Sequence, residues 1–135
     1  MRKLIQVTNY DRLLKIIPSI KDMKIGDYLK LKRDGFMDLN INVLSNSNEE
    51  IIFSLSHNSL QNGDVMADPD MEVRLLKKHS FLDALTFKND YMGVFQQVYF
   101  EQDGKKYVRT KLRKQLNSFL RTWLINLKNQ GFRGN

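Results

Sequence analysis

Cysteine is absent from the 135 residues, which excludes disulfides and thiolate metal ligands and removes any sign of an oxidising compartment. No apolar run approaches the roughly 20 residues that a membrane-spanning helix needs. The opening Met1-Arg2-Lys3-Leu4-Ile5 is basic, but Gln6, Thr8, Asn9 and Asp11 interrupt it before a signal-peptide apolar segment can form. Histidine is confined to His57 and His79, with no His-x3-His or His-Glu-x2-His spacing, so a zinc site would need distant residues to meet. Ser54, Ser56 and Ser59 surround His57 without the glycine pattern of a nucleophile elbow. Gly26, Gly35, Gly63, Gly93 and Gly104 stand singly, so there is no phosphate-binding glycine loop. These absences set the expectation of a cytoplasmic protein, with no membrane contact and no cofactor.

Acidic residues are missing from one end of the chain. Residues 104–135 carry nine basic residues and no acidic one, whereas the first 103 carry 13 basic and 15 acidic. The net charge of +7 therefore resides at the C-terminal end. Asymmetry of this kind suits a polyanionic or acidic partner, although a solvated helix face also accounts for a charge run.

The hydrophobic fraction of 41% is that of a folded domain, and the length accommodates one core, so a single domain over 1–135 is expected. Tyr10, Leu13, Leu14 and Ile17 fall at i, i+3, i+4 and i+7, which predicts a short helix over 9–17. Thr8 or Asn9 would cap it, Asp11 would sit in its first turn, and Pro18 would end it. From about residue 27 the period changes to two. Tyr28, Leu29 and Leu31 lead to the hairpin signal Asp34-Gly35, and Met37–Val43 alternates apolar and polar without a slip. Ile51–His57 and Met71–Leu75 read as further strands, followed by less regular ones over 81–87 and 92–100. Asp103-Gly104 turns the chain into Lys105–Arg109.

Leu112, Leu116, Phe119, Leu120, Trp123, Leu124 and Leu127 then form one apolar stripe of a long helix, closed by Gly131. Burying such side chains contributes roughly 1.5–3 kcal/mol each. The predicted fold class is α+β: a short N-terminal helix, then an antiparallel β-meander of about six or seven strands curved around a long amphipathic C-terminal helix.

Two segments can carry chemistry. Asp64, Asp68, Asp70 and Glu72 crowd into nine residues between strands, a density that can bind a hard cation through oxygen. With Arg74 on the same side of a strand, they echo the acidic arrangement of metal-dependent nucleases, although Arg does not readily lose a proton. Turn chemistry is the favoured reading of these residues: Asn62-Gly63 supplies positive φ, Asp64 and Asp68 bond nearby backbone N–H groups, and Pro69 fixes the start of a strand. The second segment is the basic end, with Lys105, Lys106, Arg109, Lys111, Arg113, Lys114, Arg121 and Lys128. Lys111, Arg113 and Lys114 fall in the first helical turn, where the helix dipole disfavours cations, so that turn can present them to an anion such as a phosphate backbone. Tyr99 and Tyr107 could add stacking surfaces, or pack as ordinary strand residues.

Four runs carry a resemblance: Ser54-Leu55-Ser56-His57, Gln61–Glu72, Ala84–Tyr91 and Gly93–Tyr99. Together they resemble a family of uncharacterised proteins carried largely by plasmids, phages and integrative elements of Firmicutes. Asn117-Ser118-Phe119-Leu120-Arg121-Thr122-Trp123-Leu124 more loosely resembles the YqiB-like proteins of unknown function. Neither group supplies a catalytic residue. The resemblance implies an accessory protein of a mobile element, engaged in nucleic-acid handling or in interference with a host defence such as a CRISPR nuclease. The leading expectation is a non-enzymatic protein that binds nucleic acid or a nucleoprotein complex through its basic residues. The alternatives are an anti-CRISPR-like inhibitor that contacts a host protein, and a metal-dependent nuclease built on Asp64, Asp68, Asp70 and Glu72.

Overall fold

Leu39, Ile41 and Val43 alternate with Asn40, Asn42 and Leu44, and this alternation sets the inner and outer faces of a sheet. In the computed structural model, which describes residues 3–134, β2 (Leu39–Asn46) pairs antiparallel with β1 (Tyr28–Leu31) and with β3 (Glu50–Gln61). β3 pairs in turn with β4 (Asp64–Leu76). β4 then has two antiparallel partners, β5 (Phe81–Ala84) along Val73–Leu76 and β6 (Thr86–Asn89) at Asp70↔Lys88. β7 (Val94–Gln97) completes a seven-stranded sheet, and β8 (Tyr99–Gln102) with β9 (Lys105–Val108) forms a separate two-stranded ribbon.

One face of the sheet is covered by α1 (Ile5–Ile16) and α2 (Thr110–Gln130). Leu13, Ile16 and Ile17 join Leu116, Leu120, Leu124 and Leu127 in one core with Ile41, Phe53, Leu55, Met71, Val73 and Leu75. This is the α+β arrangement that the periodicities predict.

The differences from expectation have local causes. α1 starts at Ile5 rather than residue 9, with no side-chain cap and no acid in its first turn. Thr8 donates to Ile5 O, and Asn9 is buried against α2, so neither is free to cap. Asp34-Gly35 lies in a longer connection between β1 and β2 rather than in a two-residue hairpin. Phe119, expected in the core stripe, is 39% exposed and packs edge-on against Phe87. On the other side of the stripe the helix buries a polar residue instead, the fully buried Asn117.

The irregular strands are irregular because each breaks once. Leu85 separates β5 from β6, and Val98 separates β7 from β8. At the break Val98 N–H donates to Leu85 O, and Arg109 N–H donates to Val98 O, so the buried Val98 is the pivot from which the ribbon leaves the sheet.

The segment 57–72 is not a loop. β3 and β4 continue to a two-residue turn in which Asn62 and Gly63 both have positive φ, and Gln61 pairs with Asp64. A register shift between Ser56 and Asn58 inserts one extra residue on β4 near Asp68 and Pro69.

α2 ends in a Schellman arrangement: Phe132 N–H donates to Leu127 O and Gly131 N–H to Lys128 O. Gly131 has φ +92, and a Cβ there would lie 2.8 Å from Arg33 Nε. Replacing Gly131→Ala should therefore cost about 1–2 kcal/mol, read as a lowered urea midpoint with unchanged slope. An unchanged midpoint would show that the C-terminal turn does not depend on this conformation.

Candidate functional site

Asp83 is the most constrained polar residue in the chain. It is 0% exposed on β5, an ionisable group that the hydrophobic pattern gave no reason to expect inside. Its Oδ1 accepts from Arg113 Nε at 3.2 Å and from Asn117 Nδ2 at 3.1 Å. Its Oδ2 accepts from the Tyr99 hydroxyl, from Arg113 Nη2 at 3.4 Å and from Arg74 Nη2 at 3.5 Å. Asn117 extends the network, since its Oδ1 accepts from Ala84 N–H at 3.0 Å and its carbonyl accepts from Asn9 Nδ2 at 3.1 Å. Arg74 also lies 3.7 Å from Glu50. Two cations and two carboxylates thus balance where β4, β5, β8 and α2 meet, with α1 joined through Asn9.

Burial first, then the hydrogen bond to Asp83 and its negative charge, push the Tyr99 phenol above its usual 10.0. For Arg113, burial works against the charge, but the hydrogen bond to Asp83 and its carboxylate more than offset it and raise the pKa. Every donor that reaches Asp83 is engaged by it, whereas Arg74 Nε has no hydrogen-bond partner among the described residues and lies 3.7 Å from Glu50, so the cluster acts as a joint between elements.

The acidic segment is strung along β4. Asp64 is exposed at the turn, and Asp68 accepts from Asn89 Nδ2 at 3.3 Å. Neither caps a backbone N–H among the described residues. That role belongs to Asp90, which accepts from Ala67 N–H at 2.7 Å. Asp70 and Glu72 share one face with Arg74, whose guanidinium is held by Asp83 and Glu50. Burial, the neighbouring Glu72 and Asp90 raise the pKa of Asp70, opposed in part by Lys88. No three His, Asp or Glu side chains among the described residues converge as metal ligands. His57 packs against Trp123 and Phe132, its Nδ1 3.0 Å from Asp38 O, as a core residue.

The basic residues divide. Arg113 turns inward to Asp83, whereas Lys111 and Lys114 of the same helical turn are exposed. Lys114, Arg121 and Lys128 recur every seven residues and lie on one side of α2. α1 adds cations that sequence reasoning did not enlist: Lys3 lines a hollow with Arg121, and Arg12 and Lys15 line another with Lys128. Their signal was present only in the packing of α1 on α2. Lys105 and Lys106 stand exposed on β9, and Arg109 donates to Gln97 O and lies over the Phe100 ring. Tyr99 belongs to the Asp83 joint, and Tyr107 is free at the surface.

The sequence pattern of a family described as Domain of unknown function (DUF6908) matches residues 9–133, nearly the whole chain. The chain belongs to this family. No curated protein and no solved structure matches it. Among the described residues no helix is long and apolar enough to cross a membrane.

The joint makes two tests. Removing the carboxylate in Asp83→Ala leaves buried Asn117 without an acceptor and the half-buried Arg74 and Arg113 without their partner, and should destabilise the fold by about 1–3 kcal/mol. Because the folded pKa of Tyr99 is raised, its neutral form is favoured in the native state. That contribution is intact below its usual pKa and is lost as pH rises through the folded value. Urea midpoints at about pH 8 and about pH 11 should fall less in Tyr99→Phe than in the wild type. Equal falls would mean that the phenol does not lock the ribbon.

Proposed function

We propose that this family member is a non-enzymatic accessory protein of a mobile element, acting in the cytoplasm, that binds nucleic acid or a nucleoprotein complex through its basic C-terminal surface. The observation that carries this reading is a set of unpaired cations. Lys105, Lys106, Lys111, Lys114, Arg121 and Lys128 are all exposed and form no ion pair among the described residues. Arg121 shares a hollow with Lys3, and Lys128 one with Arg12 and Lys15, a spacing of cations that suits the repeated charge of a phosphate backbone. The mobile-element origin rests on the sequence resemblance alone.

A second reading, an inhibitor that contacts a host defence protein, is favoured by the β3–β4 tip. There Leu60 and Val65 are cross-strand partners, 74% and 67% exposed, beside Asp64. Apolar side chains exposed this far on a projecting hairpin suit a protein contact. The nuclease reading has no geometric support, since its acids neither converge nor face a free base.

The discriminating variant is K114E/R121E/K128E, which leaves Arg113 and the Asp83 joint untouched. Affinity for a labelled oligonucleotide should drop by more than tenfold, and the slope of log K against log salt should shrink by roughly 2–3. Unchanged affinity in a folded triple variant would remove the helix stripe from the interface. Failure of the wild type to bind any nucleic acid, with capture of a host protein abolished in a Leu60→Asp variant, would transfer the function to the hairpin tip.

A further inference from the structure

The β8–β9 ribbon differs from the rest of the basic surface because it combines cations with aromatic rings that stand off the core. Phe100 and Tyr107 are cross-strand partners, with ring centroids 5.3 Å apart and planes 20° from parallel. The Arg109 guanidinium lies 4.0 Å from the centroid of Phe100. By strand alternation Lys105, Tyr107 and Arg109 share one face of the ribbon with Phe100 and Gln102, and no carboxylate of the ribbon is on that face. Of the ribbon's two acids, Glu101 belongs to the opposite face with Tyr99, the residue that anchors the ribbon to Asp83, and Asp103 lies in the turn. Rings that serve a core are covered by it. Here Tyr107 remains 43% exposed, all four residues of β9 are exposed, and neither Phe100 nor Tyr107 packs on the core.

We propose that this ribbon face stacks unpaired bases, so that the protein selects single-stranded over double-stranded nucleic acid. The inference rests on the basic-surface reading above and specifies its ligand. Phosphates alone would be held by Lys105 and Arg109 without any ring. The Arg109–Phe100–Tyr107 array adds flat π surface between those cations, and a base placed on Tyr107 would continue the array. In a duplex both faces of each internal base are already stacked on neighbours, so only a single strand can offer one. Stacking of this kind tolerates any base and accepts either sugar, so the chemistry specified is a single strand of DNA or RNA.

The test titrates the full chain by fluorescence anisotropy at about 50 mM salt with oligomers of about a dozen nucleotides. The probes are oligothymidylate, oligouridylate, an abasic strand of the same length, and a duplex. The thymidylate or uridylate strand should bind about tenfold more tightly than the abasic strand and the duplex, and the better of the two identifies the sugar. Tyr107→Ala should lose about tenfold on the base-bearing strand and nothing on the abasic one, while Tyr107→Phe retains the preference. Tyr107→Leu, which keeps apolar bulk, should behave as the alanine variant and guards against a fold defect. Equal binding of base-bearing and abasic strands, equal binding of duplex, or an unchanged Tyr107→Ala would overturn this inference and leave the phosphate-binding reading standing. Absence of binding to all four probes would overturn both.

Discussion

A carboxylate removed from water must be compensated in place, and Asp83 imposes that requirement on four elements at once. Transfer of such an ion to the interior costs several kcal/mol even after relaxation, so β5 can bury it only where donors already wait. Arg113 comes from the first turn of α2, Tyr99 from β8, Arg74 from β4 and Asn117 from the next turn of α2. Each donor is fixed by the acceptor they share. The start of α2, the seat of the ribbon and the edge of the sheet therefore cannot be repositioned independently. The apolar core supplies the larger share of folding free energy, but it is non-directional; the joint sets how the C-terminal third lies on the sheet.

The same joint sorts the charges. A helix whose first turn holds Lys111, Arg113 and Lys114, with no acid and no side-chain cap, opposes its own dipole. Arg113 is relieved by Asp83 and leaves the surface. Lys111 and Lys114 have no such relief and stay in water. The outward cations are thus the remainder after the internal pairing is complete, which is why they form a field of one sign. α1, docked through Asn9 on the carbonyl of Asn117, brings Arg12 and Lys15 to the edge of that field, and Arg12 is itself oriented by a hydrogen bond to Asn9 Oδ1.

Much of the architecture was legible because it follows from periods of 2 and 3.6. The Met37–Val43 alternation placed Leu39, Ile41 and Val43 in the core, and the stripe from Leu112 to Leu127 placed α2 on the sheet. The turn at Asn62-Gly63 was legible from its residues, yet the strands flanking it were not. Beyond the core both of their faces meet solvent, so Asp64, Val65 and Met66 carry no alternation to read. The breaks at Leu85 and Val98 were hidden for another reason: each ends one short strand and begins the next, so two short patterns add to one poor one. The joint itself was illegible. Asp83 and Asn117 looked like ordinary strand and helix residues, Arg74 and Tyr99 were read in other roles, and only tertiary contact between positions 9 to 34 apart makes them a unit.

These placements separate what holds the fold from what is free to bind. The polar groups of Arg113, Tyr99 and Arg74 are engaged by Asp83, so a partner that took those bonds would loosen β8 and α2. Among the described residues the side chains of Phe100, Tyr107 and Lys105, on the neighbouring strand positions, make no hydrogen bond or ion pair to the body. Strand alternation therefore puts the anchor on one face of the ribbon and the rings that stand off the core on the other. A ligand on the free face would not compete with Tyr99 for Asp83, and the ribbon can keep its seat while it binds. That separation is the physical condition for a rigid recognition surface, because a ligand that finds its contacts already in place does not have to supply the free energy of ordering them.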